Sequence, residues 1–185
     1  MDPKRRGEVS FWYADQGGLP ARRAGLEGDC QADVCIIGAG YTGLWTAWYL
    51  KAQEPALNVV VVEKEFAGFG ASGRNGGQVG SGQRLDQVAL EKMAGREAAH
   101  RLWDLAEEAK ALVRTLIADH AMPCTFHPGV AHACRSQGEV RDTHAYAEKL
   151  HRDYGYDQLE PLDQAGIRAL IGSPVYKGGE IDWGA

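Results

Sequence analysis

Asp33-Val34-Cys35-Ile36-Ile37-Gly38-Ala39-Gly40-Tyr41-Thr42-Gly43-Leu44 is the stretch on which the fold turns. Asp33 to Ile37 is a short continuous apolar run, and a run apolar on both faces suits a buried parallel strand. Cys35 sits inside it and reads as a small core residue. A Gly-rich turn follows at once. Leu44, Ala47, Trp48 and Leu50 then recur at helical spacing up to Lys51, and Pro55 lies beyond the helix end. Asn58-Val59-Val60-Val61-Val62-Glu63 is a second, β-branched strand. Strand, Gly-rich turn, helix and strand make one βαβ crossover.

The turn has the chemistry of a dinucleotide site. Gly38 permits the tight bend, Gly40 lets backbone approach a pyrophosphate, and Gly43 lets the helix pack close to the strand. The helix N-terminus, from Tyr41 and Thr42 onward, presents free N–H groups and the positive end of the dipole to phosphate. Ala47 keeps the helix–sheet contact tight. Glu63 ends the second strand 20 residues past Gly43, where a carboxylate accepts hydrogen bonds from both ribose hydroxyls of an adenosine and repels a 2′-phosphate. A lone GxGxxG is weak evidence, but here strand, helix and acid all stand where such a site needs them. Gly38, Ala39, Gly40, Tyr41, Thr42, Gly43, Glu63 and its neighbour Lys64 are the nucleotide-side candidates.

Residues 67–84 are rich in Gly, Ser and Asn, and a loop this long beside such a strand reads as functional. Ala71-Ser72-Gly73-Arg74-Asn75-Gly76-Gly77-Gln78 supplies backbone N–H groups for a long dinucleotide such as FAD. Ser72 and Arg74 are candidates for the pyrophosphate. Asn75, Gly76, Gly77 and Gln78 are candidates to lie against a flavin ring.

With both stretches in view, the chain resembles the FAD-dependent amine and amino-acid oxidoreductases of the D-amino-acid-oxidase type, and within them the gamma-glutamylputrescine oxidoreductases. Residues 33–44, Glu63 and Gly68 to Gln78 carry the likeness, the second Gly-rich stretch most specifically. Cys124 through Pro128-Gly129-Val130 and Tyr176 to Asp182 echo it more weakly. The resemblance implies an α/β fold: a Rossmann-like FAD-binding βαβ domain with the start of an α+β substrate domain. It implies an N-terminal arm over 1–31, the first segment of a discontinuous FAD domain over 32–92, and the beginning of a substrate domain over 93–185. Members are roughly twice this length or more, so the chain is expected to be an N-terminal portion, with catalytic residues and most substrate contacts beyond residue 185. The implied reaction is oxidation of an amine C–N bond by hydride transfer to flavin, with reoxidation by oxygen or another acceptor. Two other readings stand beside it: a dinucleotide-binding module without catalysis, and an NAD-linked dehydrogenase, which the 67–84 loop disfavours.

The remaining sequence sets bounds. A net charge of −5 argues against nucleic acid as the main partner, and Lys4-Arg5-Arg6 reads as a solvated terminus. Cys30, Cys35, Cys124 and Cys134 form no C-x-x-C, so no metal site is expected, and a reduced, cytoplasmic setting fits them. No 18-residue apolar stretch exists, so no transmembrane helix is expected, and the first 30 residues lack the apolar core of a signal peptide. Residues 1–31 read as an irregular arm, with Phe11-Trp12-Tyr13 an aromatic anchor packing it onto the domain. Arg96 to His120 reads as an amphipathic helix with Leu102, Leu105, Ala109, Leu112, Val113 and Leu116 on its apolar stripe and Lys110 off it. Cys124 to Cys134 and Val175 to Trp183 read as strands, and Val140 to His151 as a helix. A short helix is expected from an Asp163 N-cap to Gly172. His100, His144 and His151 read as solvated or packing. His127 and His132 flank Gly129-Val130, and structural roles are favoured for both.

Overall fold

A computed structural model describes residues 10–185, so the Lys4-Arg5-Arg6 reading lies outside the described residues. The chain forms two compact units, one ending at Gly77 and the other spanning Gln78–Ala185.

The first unit contains α1 (Phe11–Asp15), β1 (Val34–Ile37), α2 (Tyr41–Gln53), β2 (Val59–Val62) and a single 3₁₀ turn over Ala71–Gly73. β1 and β2 pair in parallel, from Val34 opposite Val59 to Ile37 opposite Val62. Two contacts fix that register at its start. Asp33 donates its N–H to the Asn58 carbonyl, and its carboxylate accepts the Asn58 N–H at 2.8 Å. At the other end of α2, the Lys51 ammonium donates to the Leu57 carbonyl at 2.9 Å, placing a cation where the helix dipole is negative.

One expectation fails here. Cys35 is exposed, not core. Successive strand residues point to opposite faces. Ile36 faces α2, whereas Cys35 and Ile37 point to the other face, and Ile37 is 89% exposed. The arm is also less irregular than expected: among its described residues it contains α1, whose Tyr13 is buried.

The second unit contains α3 (Gln87–Ala94), α4 (Arg96–Asp119), β3 (Val130–Cys134), α5 (Gln137–Tyr154), β4 (Leu159–Leu162), α6 (Gln164–Ile171) and β5 (Gly178–Asp182). Its sheet is antiparallel with order β3-β5-β4. The expected strand from Cys124 is confined to its last five residues. α5 is longer than expected because Ser136 and Glu139 form a reciprocal capping box and Gly155 closes the far end in the left-handed conformation. The Asp163 cap stands as expected, accepting from the Gly166 N–H at 2.8 Å, with Gly172 left-handed at the end of α6.

The apolar stripe of α4 is rotated from its sequence reading. Ala99, Trp103, Ala106 and Lys110 are the buried positions, while Leu105 is exposed. Trp103 packs with Leu150 and Tyr156 into the core, flanked by Tyr146, Tyr154 and Leu159. Lys110 tolerates burial because every side of its ammonium is matched. Glu107 pairs with it at 2.9 Å, Ser81 Oγ and Tyr156 Oη accept from it at 2.6 and 3.2 Å, and it lies 4.9 Å from the centroid of the Tyr156 ring.

Candidate functional site

The site in the first unit is built largely by the absence of side chains. Gly38 ends β1 by donating to the Val62 carbonyl at 2.8 Å, then turns the chain at φ +101°, a conformation that favours glycine. A Cβ on Gly43 would stand 2.0 Å from the Gly38 carbonyl oxygen and 3.2 Å from Ile36. Helix and strand therefore meet at backbone distance, and only glycine permits it. A Cβ on Gly40 would meet Ser72 Oγ at 3.1 Å, so the second glycine keeps open the space between turn and loop.

Three side chains converge on this turn. Glu63, leaving β2, accepts the Ala39 N–H at 2.9 Å and the Glu65 N–H at 3.1 Å, one through each oxygen. The Ala39 bond is the larger cause of a carboxyl held below its usual range, and the Glu65 bond is second. The side chain stays solvent-exposed, so its oxygens keep lone pairs for a ligand. Ser72 Oγ, from the 3₁₀ turn, accepts the Tyr41 N–H at 2.9 Å, on the first residue of α2. Asn75 braces the loop, donating to the Ser72 carbonyl at 2.9 Å and to Tyr41 Oη at 3.2 Å while accepting the Gly77 N–H at 2.8 Å. Backbone ties the loop down as well, since the Gly68 N–H donates to the Ala39 carbonyl at 2.8 Å.

The structure thus brings together Gly38, Ala39, Gly40, Tyr41, Gly43, Glu63, Ser72, Asn75 and Gly77. Thr42 is in the first turn, its carbonyl accepting from Thr46 Oγ1 and its N–H, like that of Gly43, lacking an intrahelical acceptor. Arg74 lies with its guanidinium carbon 4.9 Å from the centroid of Phe69. Ala71 accepts from Asn75 through its carbonyl. Lys64 and Gly76 are exposed flanks, and Gln78 is the first residue of the second unit. Free helix N–H groups with a hydroxyl and an exposed acid beside them suit a ligand that carries phosphate and vicinal hydroxyls.

The second unit has its own cleft, about 400 Å³, lined by Ser81, His132, Tyr146, Tyr156, Glu180 and Asp182 among others. Tyr156 Oη donates to Asp182 and lies 2.7 Å from Ser81 Oγ. Burial, and then the hydrogen bond to Asp182, push the Tyr156 phenol up. Glu180 Oε2 has no hydrogen-bond partner. Its carboxyl is raised to about 7, first by burial and then by the Asp182 charge, with His144 opposing. Sequence reading missed this cluster because its members are scattered over β3, α5, β5 and the loop positions Ser81 and Tyr156. His132 is on β3 and lines the cleft, and His127 precedes the strand. His100 stacks on Tyr154, and His144 bonds the Gly179 carbonyl at 2.9 Å, so both serve packing.

Comparison with known proteins gives a consistent picture. The family model described as DAO, FAD dependent oxidoreductase, matches residues 33–184. A probable oxidoreductase OrdL of Rhizobium meliloti (strain 1021) is 38% identical over 159 residues, 86% of this chain and 37% of that protein. The gamma-glutamylputrescine oxidoreductase of Escherichia coli (strain K12) is 34% identical over 174 residues, 94% of this chain and 40% of its own length. The chain therefore spans about two fifths of the curated relatives it matches. Among solved structures, L-amino acid deaminase from Proteus vulgaris superposes with a TM-score of 0.62 at 24% identity, covering 88% of this chain and 36% of that one, a likeness of fold.

Proposed function

Because the chain belongs to the DAO family of FAD-dependent oxidoreductases, we propose that its first unit holds the nucleotide end of FAD for the oxidation of an amine or amino-acid C–N bond. The observation that carries this reading is the meeting of Glu63 and Ser72 on one turn, from two different segments, at the N-terminus of α2. The residues fit the group. Thr42 and Gly43 offer N–H groups to a pyrophosphate, and the gap that Gly40 leaves admits it. Ser72 Oγ and Arg74 add a hydroxyl and a cation at the same end. Glu63 takes the adenosine ribose hydroxyls, and its lowered pKa keeps it an acceptor at neutral pH. Ala71 and Asn75 to Gln78 run on toward the flavin, and Lys64 flanks the adenosine side.

Bound flavin supplies the hydride acceptor. The chain's own part in that chemistry is to bind and orient: Gly38 to Gly43 fix the phosphates against the helix dipole, and Glu63 fixes the far end. A gamma-glutamylputrescine-like amine is the favoured substrate, on the strength of the relative that matches 94% of this chain. Oxygen or another small acceptor would reoxidise the flavin.

Two steps test the reading. The purified chain is incubated with FAD, desalted and scanned in the visible range, where a retained flavin spectrum is expected. Anaerobic addition of amines, gamma-glutamylputrescine among them, should bleach the flavin of a protein of the relatives' full length, where most substrate contacts are expected. A colourless protein contradicts the site. Retained flavin that no amine bleaches in the full-length protein contradicts the activity; in the 185-residue chain alone it leaves a dinucleotide-binding module.

A further inference from the structure

We infer that Tyr13, on the N-terminal arm, is a positioning residue for the cofactor loop, acting through Ser72 and Arg74; the inference rests on the FAD site proposed above. Tyr13 is 8% exposed on a helix of five residues whose neighbours Phe11 and Trp12 stay largely open. Its hydroxyl donates to the Gly68 carbonyl at 2.9 Å, an acceptor in the loop 55 residues away. The same hydroxyl and the same carbonyl close on Gly73: a Cβ there would lie 2.4 Å from Tyr13 Oη and 2.3 Å from Gly68 O. Gly73 follows Ser72 directly, so the lock sits one residue from the hydroxyl that caps α2.

The ring extends the same control to Arg74. Tyr13 packs edge-on against Phe66 with centroids 5.5 Å apart, Phe66 packs edge-on against Phe69 at 5.3 Å, and Arg74 lies over Phe69. One more bond closes the loop from its far side, where Trp12 Nε1 donates to the Asn75 carbonyl. Three consecutive features of the loop, at Gly73, Arg74 and Asn75, are therefore held from the arm. An anchor that served only to tether the arm would need none of them to fall within three residues of Ser72. A loop held this way meets FAD already ordered, so less ordering entropy opposes binding.

The test uses Tyr13→Phe, which keeps the ring and removes the hydroxyl, and Tyr13→Ala, which removes both. Two readouts are taken on the 185-residue chain: FAD affinity from quenching of flavin fluorescence at a temperature where each variant is folded, and amide hydrogen exchange across Gly68 to Gly77 without FAD. Tyr13→Phe should weaken FAD about fivefold and Tyr13→Ala about fiftyfold, with exchange in the loop faster in the same order. Unchanged FAD affinity with only a lower melting temperature would overturn the inference, as would unchanged loop exchange in Tyr13→Ala. The exchange readout needs no FAD, so failure of the unaltered chain to bind flavin would contradict the site itself while the latch still stands or falls on exchange.

Discussion

The two units solve the problem of bringing elements together in opposite ways. In the first, contact is made by backbone: Gly43 against Gly38, and Gly73 against Gly68, each at a distance no Cβ tolerates. α2 has no fully buried residue, and Tyr41, Leu44, Trp48 and Tyr49 are all exposed apolar side chains. In the second unit, side chains carry most of the contact, although within its sheet Gly179 also meets the His132 carbonyl at a distance no Cβ tolerates. Trp103, Leu150 and Tyr156 form a core, three helices carry side-chain N-caps, and even a lysine is interior. A unit of the first kind offers bare N–H groups to a ligand and has little core to hold it together. A unit of the second kind is held together by what it buries.

The sharpest way to break the contrast is to add one methyl group to the first unit. Gly43→Ala places its Cβ on the Gly38 oxygen, and overpacking against backbone costs about 3 kcal/mol or more. FAD affinity by fluorescence titration should fall at least about 100-fold, the equivalent of ~2.7 kcal/mol. Retained affinity would mean the close approach is not needed.

In the second unit the comparable blow removes charge. Lys110→Ala removes a buried ammonium and its bonds to Ser81 and Tyr156, and takes the partner from the half-buried Glu107, one of whose oxygens already lacks one. Loss of the buried stem and its hydrogen bonds costs about 2 kcal/mol, so thermal unfolding should drop by about 6 °C. The contrast sharpens if FAD affinity is untouched in this variant.

Glu180 gives a pH signature confined to the second unit. Its carboxyl, raised in the fold from an ordinary 4.5 to about 7, disfavours the native state once ionised. The folded protein then binds more protons than the unfolded chain between these values, so this contribution is full below pH 4.5 and lost as pH rises through 7. Glu180→Gln, which mimics the protonated acid, should match the parent near pH 4 and melt about 2–4 °C higher at pH 8, a modest gain because solvent screens the site. Equal melting curves at both pH values would remove the effect.

The smallest expected effect has the opposite sign to the first. Gly138 lies in the first turn of α5 with ordinary space around its missing Cβ, 3.7 Å from Ser136 Oγ. Gly138→Ala should therefore stabilise the second unit by about 0.5 kcal/mol. A loss would show that glycine carries a hidden role there too.

The same contrast explains what could be read from sequence. The geometry of the Gly-rich turn was legible because its constraints are local: a glycine needed for a bend, a glycine needed for close approach, an acid one strand away. The aromatic arm was legible as an anchor, although its partner carbonyl was not. The second unit resisted because its decisions are made at long range. Lys110 is buried by Ser81 and Tyr156, 29 and 46 residues away, and no helical wheel contains them. β4 was missed because Pro161 argues against a strand, yet β4 lies at the edge of the sheet, where a missing N–H costs no ladder bond. α3 was missed too, although its Asp86 cap accepts from Ala89 at 2.7 Å. Its eight residues are too short for a periodic signal to emerge. Cys35 failed as a core residue for a related reason: α2 covers one face of the two-stranded sheet, and the apolar run reads the same whether one face is covered or both.

The most direct measurement is a paired titration of the chain with FAD and with FMN, which lacks the adenosine assigned to Glu63, followed on the flavin fluorescence and repeated for Glu63→Ala. FAD should bind at least about tenfold more tightly than FMN, ~1.4 kcal/mol, and the preference should shrink in the variant to the part that the pyrophosphate contacts supply. Equal affinity for the two flavins, or a preference for FAD undiminished by loss of Glu63, would contradict a cofactor site anchored at the turn before α2.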